Sequence, residues 1–205
     1  MKVFTKFAVI AALSSNSAFA LQVHPIPVEI GFGQKVKELS IGDDDGKYQV
    51  VVKKWTQNSQ GEEVLEETTD VVPYPSIFQA PKKIKIYSKT ERGVDEKSYR
   101  ILIRELNIND KNETVESENT TKVLKTLSIP IFLSPKGKSI SSLKIGCTAG
   151  GVTLENDGNT HMKILSIGNR QMAEYVLPNF KREVHQVERH GKVETNNGSF
   201  EYECK

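Results

Sequence analysis

The stretch 98–106 reads SYRILIREL, and its alternation decides the fold. Tyr99, Ile101 and Ile103 share one face; Arg100, Leu102 and Arg104 share the other. A period of two marks a half-buried β-strand, because successive side chains point to opposite sides of a sheet. The same period recurs on either side. Residues 82–88, KKIKIYS, set Ile84 and Ile86 against lysines. Residues 47–57, KYQVVVKKWTQ, are rich in β-branched side chains, and residues 121–134, TKVLKTLSIPIFLS, make another long strand candidate. Helical periodicity is scarce. Turn clusters separate the runs: Asp43-Asp44-Asp45-Gly46, Ser59-Gln60-Gly61, Pro73-Tyr74-Pro75 and Glu91-Arg92-Gly93. Short strands punctuated this way predict an all-β sandwich.

Between two of these strands, residues 107–120 read NINDKNETVESENT, polar and acidic. Almost nothing in them can enter a core, so they are expected to form a loop. The run Ser134-Pro135-Lys136-Gly137-Lys138-Ser139 is the expected boundary between a first unit, 21–135, and a smaller second one, 136–205. Beyond it, 140–146, 151–156, 160–167, 170–177, 181–190 and 198–204 are predicted strands. Asn156-Asp157-Gly158-Asn159 and Asn196-Asn197-Gly198 are among the turns between them. A sandwich this short has a marginal core.

Residues 1–20 carry the pattern of a secretory signal peptide. Lys2 and Lys6 precede an apolar stretch from Phe7 to Leu13, and Ala18-Phe19-Ala20 offers a small-x-small cleavage site. The apolar stretch is too short for a bilayer core of about 30 Å, and Leu21 is not the cysteine a lipid anchor needs. Export makes the even cysteine count informative: Cys147 and Cys204 are expected to form a disulfide.

Chemistry is conspicuous by omission. The net charge of +2 with mixed signs offers no nucleic-acid footprint. There is no G-x-S-x-G elbow, no H-E-x-x-H and no phosphate loop; Gly146 to Gly151 lacks the lysine and helix that a phosphate loop requires. Glu62-Glu63 and Glu66-Glu67 read as a solvated hairpin end. His24, His161, His185 and His190 are dispersed, so no metal site is called for, and no cofactor. The reading is therefore of a binding protein and not an enzyme. The segment to bind with is 121–134. Val123, Leu127, Ile129 and Ile131 share one face, with Lys125 interrupting; Leu124, Pro130 and Phe132 share the other. Pro130 removes a backbone donor, which disfavours a central strand throughout. Such a strand can sit at a sheet edge and pair with a partner, or it can be an ordinary core strand. Alternation alone favours the core strand.

At this point the sequence resembles the periplasmic pilus-assembly chaperones of the chaperone–usher system, nearest to the archaic and alternative branches. The carrying stretches are VVVKKWTQNSQGEEVLEETTDVVPYPSIFQAPKKIKIYS (50–88), SYRILIREL (98–106) and LSIPIFLSP (127–135). VTLENDGNTHMKILSI (152–167) and EYVLPNF (174–180) follow, the latter with Asn179 where the family has glycine. The resemblance implies two immunoglobulin-like sandwiches in an L or boomerang, in the periplasm. It implies pilus or fibre subunits and an outer-membrane usher as partners, with no nucleic acid and no membrane insertion. The donor strand maps to 121–133, with Val123, Lys125, Leu127, Ile129 and Ile131 facing the subunit. Pro27 and Pro130 occupy the positions where an arginine and a lysine that grip the subunit's terminal carboxylate are expected; Arg104 and Lys122 are the candidate replacement cations. A structural pilus subunit or adhesin-like sandwich is the alternative.

Overall fold

The computed structural model describes residues 21–42, 46–106 and 124–204. The expected leader, the polar run 107–120, Lys122 and Val123 lie outside these residues.

The first half holds β1 (Gln22–His24), β2 (Val28–Ile30), β3 (Val36–Gly42), β4 (Lys47–Gln57), β5 (Glu63–Glu67), β6 (Val71–Tyr74), β7 (Ile77–Gln79), β8 (Lys82–Ser88), β9 (Lys97–Glu105) and β10 (Thr126–Leu133). The second half holds β11 (Leu143–Thr148), β12 (Gly151–Asn156), β13 (Met162–Ile167), β14 (Arg170–Val176), β15 (Lys181–His185), β16 (His190–Thr195) and β17 (Gly198–Glu203). The described chain is all-β, in four sheets. One sheet runs β1-β3-β8-β6, and a second runs β2-β10-β9-β4-β5 with β7 also on β4. The other two run β11-β12-β15 and β14-β13-β16-β17.

The alternation read from the sequence explains the first pair. Tyr99, Ile101 and Ile103 meet Ile84, Ile86, Val50 and Val52 in one core between the sheets. The lysines of β8 remain exposed, as the pattern requires. The chain enters by crossing between layers: β1 pairs antiparallel with β3, and after Pro25 and Pro27, β2 pairs parallel with β10.

The second pair encloses a smaller core of Val152, Leu154, Met162, Ile164, Val176 and Val193, among others. One expectation needs correcting here. The predicted strand 181–190 ends at His185, where Gln186 takes φ 57, and β16 starts anew at His190. Alternation continues across this break, so periodicity alone does not reveal it. Cys147 on β11 and Cys204 just past β17 form a disulfide, Cα atoms 5.6 Å apart, across a separation of 57 residues. It ties one sheet to the other at their outer strands. Closing a loop of that length contributes about 4 kcal/mol by restricting the unfolded chain.

Candidate functional site

β10 pairs antiparallel with β9 along its whole length, from Thr126 opposite Arg104 to Leu133 opposite Lys97. On its other side β2 covers only Ile131 to Leu133. From Thr126 to Pro130, no described strand pairs with the outer edge. The ladder's phase fixes which backbone groups face that edge. The Glu105 N–H donates to the Lys125 carbonyl at 2.9 Å, so residue 125 turns its groups toward β9. In an antiparallel pair this alternates, so 127, 129 and 131 also face β9. Residues 126, 128 and 130 face outward. Thr126 and Ser128 each present an N–H and a carbonyl there. Pro130 has no N–H to leave unpaired. Beyond it, the Ser134 N–H donates to the Ile30 carbonyl, as the same phase demands.

The side chains grade along the strand. Lys125 is exposed and Leu127 half-buried against the first core, while Ile129 and Ile131 are 1% and 0% exposed within it. Val123 lies outside the described residues, while Leu127, Ile129 and Ile131 share one face. Two of its members are core residues of this chain. On the opposite face Leu124 is 47% exposed, and Pro130 and Phe132 are buried.

Phe132 is buried by the second half of the chain, in a cluster with Trp55 and Leu177 and packed against Tyr175 and Phe180. Burying aromatic and leucine side chains contributes about 1.5–3 kcal/mol each. Gln57, at the end of β4 and 6% exposed, fastens this seam with both ends of its amide. Its Nε2 donates to the Gly61 and Tyr175 carbonyls, and its Oε1 accepts from the Leu177 N–H at 2.9 Å. Gly61 must be glycine: its φ is 81°, and a Cβ would lie 2.7 Å from the Lys181 carbonyl.

The two C-terminal motifs supply the rest of the seam. In Asn156–His161, the Asn156 amide is buried and organises the turn, accepting from the Gly158 N–H. Asn159 donates to the Val94 carbonyl, and its own carbonyl accepts from the Glu96 N–H. The His161 Nδ1 lies 2.8 and 3.0 Å from the two Glu96 carboxylate oxygens, and its ring stacks on Phe132 at 3.5 Å. In the second motif, Asn179 takes the left-handed φ of 64° that glycine would adopt and donates to Asp95.

Of the two candidate cations, Lys122 lies outside the described residues. Arg104 is exposed, opposite Thr126, four residues along β9 from the seam. Arg100, opposite Pro130, does reach the seam. Its guanidinium lies 3.8 Å over the Trp55 ring, and its Nε pairs with Glu63 at 2.7 Å. Burial holds the Tyr175 phenol above its ordinary pKa, with the nearby Arg100 opposing. Arg100 was not among the candidates: it shares a face with Arg104, and only the packing of Trp55 separates them.

No protein-family model matches the chain, and no curated protein matches it. Solved structures do. A chain of the CsuC–CsuE chaperone–tip adhesion subunit pre-assembly complex, from archaic chaperone–usher Csu pili of Acinetobacter baumannii, aligns with a TM-score of 0.67 and 15% identity. The alignment covers 91% of this chain and 99% of that one. The E. coli chaperone DraB aligns at 0.64 and 16%, covering 91% and 97%. The Pseudomonas aeruginosa chaperone CupB2 aligns at 0.62 and 15%, covering 90% and 100%. The chain thus has the fold of these two-domain, immunoglobulin-like pilus chaperones.

Proposed function

We propose that the protein is a periplasmic assembly chaperone of the chaperone–usher type, in its archaic or alternative branch. It stabilises fibre subunits by lending them the edge of β10, and hands them on at the outer-membrane usher. The observation that carries this reading is the outer edge of Thr126 to Pro130, hydrogen-bonded on one side only. A subunit missing a strand exposes an apolar groove and unpaired backbone groups; a strand added from a partner satisfies both. The donor segment is 121–133. Within it Val123, Lys125 and Leu127 are the side chains to offer, since Ile129 and Ile131 already fill this chain's own core. The fold shared with solved pilus chaperones supports the same role.

The division of the chain at residue 135 belongs to this proposal, as do residues 1–20 as a leader to the periplasm. A disulfide between Cys147 and Cys204 suits an oxidising compartment. With Pro27 between β1 and β2 and Pro130 on β10, subunit capture rests on strand pairing.

The test is co-expression with an aggregation-prone exported subunit encoded near this protein. The wild-type chain should raise the subunit's soluble yield and co-purify with it. Ser128→Pro removes one outward N–H without touching the β9 ladder, and should abolish the gain. Retention of subunit by this variant would sink the strand-pairing reading.

A further inference from the structure

A second charged feature lies away from β10's free edge. A cavity of about 750 Å³ is bounded by the loop after β2, the loop after β8 and Lys136. Lys35, Lys89, Arg92 and Lys136 line it, against a single carboxylate, Glu91. None of these four cations makes an ion pair with a described carboxylate. Some strand lysines elsewhere do find partners, as Lys53 does with Glu67 and Lys83 with Glu38.

The lining is built and not merely decorated. The Arg92 Nη2 donates to the Gln34 carbonyl at 3.1 Å, which holds the guanidinium in place. Its Nη1 is buried with no described partner, and so is the Ser88 Oγ. A buried donor left unpaired costs about 1–3 kcal/mol, more when charged. An oxyanion admitted beside them would answer both groups. Burial lowers the Arg92 pKa, with nearby Tyr99 opposing. Beside these charges sits apolar surface. Phe32, on the cavity lining, is 57% exposed. Val36 and Tyr87, opposite each other across β3 and β8, are 44% and 37% exposed. They adjoin the cavity residues Lys35 and Ser88 in the chain.

We propose that this cavity docks an acidic peptide segment of a partner protein, one in which carboxylates alternate with apolar side chains. The carboxylates meet Arg92 and the lysines, and the apolar side chains cover Phe32, Val36 and Tyr87. A lone inorganic anion would answer the two orphaned donors and leave most of the volume and the apolar rim unused. The site stands independently of the reading of β10.

Fluorescence anisotropy tests it on the chain from Leu21 onward. The probe is a labelled peptide of alternating glutamate and leucine; a lysine–leucine peptide and inorganic phosphate are the comparisons. The acidic peptide should bind, weaken about tenfold when salt rises from about 0.05 to about 0.3 M, and weaken about tenfold in the doubly exposed variant Lys35→Glu/Lys89→Glu. Arg92→Gln should weaken it further if the variant folds, but the lysine variant alone decides. Failure of the acidic peptide to bind overturns the proposal. So does equal binding by the double variant or by the lysine peptide. Full displacement by equimolar phosphate would overturn it too, in favour of a free oxyanion site. Subunit capture through β10 should survive Lys35→Glu/Lys89→Glu, so loss of one function does not pass for loss of the other.

Discussion

The two halves of the chain meet the same requirement, covering the faces of two small sheets, by different means. The first pair of sheets buries nearly twice as many apolar side chains as the second, among the described residues, and has no crosslink. It leaves the edge of β10 half covered. The second pair has the thin core, and its outer strands β11 and β17 are joined through Cys147–Cys204. The larger core tolerates an open edge because stability comes from area buried away from that edge. The smaller one has no such margin. Where the open edge exists, it is limited: the free stretch is short, Lys125 is exposed beside it, and Pro130 withdraws a donor.

The largest expected effect breaks this comparison at its crosslink. The double variant Cys147→Ala/Cys204→Ala should lose about 4 kcal/mol from the second half. Hydrogen exchange should quicken in β11 to β17 while β4 and β9 stay protected. If both halves lost protection together, they would form one cooperative unit and the contrast would fail. Next in size is Ile131→Ala. It truncates a fully buried side chain where β10 is paired on both sides, and should cost the first half about 3 kcal/mol by urea denaturation.

Most of this contrast was legible in the sequence where one strand decides its own environment. Alternation in 82–88 and 98–106 named the core face of the first sandwich, since a period of two has only two solutions. The cysteines pointed to the crosslink through compartment and count. What resisted reading depends on tertiary packing. Phe132 and Arg100 lie on the faces opposite the core; the second half buries Phe132, while Arg100 lies over Trp55 of the neighbouring strand β4. Gln57 carries no signal as a polar residue at a strand end, yet it is buried and bonded on both amide atoms. The extent of β10's edge also escaped, because it depends on where β2 stops.

Gln57→Ala sharpens the comparison at the seam. It leaves the Leu177 N–H and the Tyr175 carbonyl without their partner, a cost of about 2 kcal/mol. Trp55 is the only tryptophan and sits in that seam, so its fluorescence reports the loosening directly. The two halves should then unfold in separate transitions.

The smallest effect is the most discriminating, because it tests the phase of β10 itself. Leu127 and Ser128 are neighbours, and the ladder turns their N–H groups in opposite directions. Proline at 127 removes a donor bonded to β9 and should cost at least about 1 kcal/mol. Proline at 128 removes a donor that faces the open edge, where Pro130 is already accommodated, and should change stability by no more than about 0.5 kcal/mol. For capture of a partner strand the outward donor is what counts: Ser128→Pro, stable in urea, should fail to hold a subunit. If Ser128→Pro proved the more destabilising of the two, the edge would be facing the other way, and the strand could not lend the groups assigned to it.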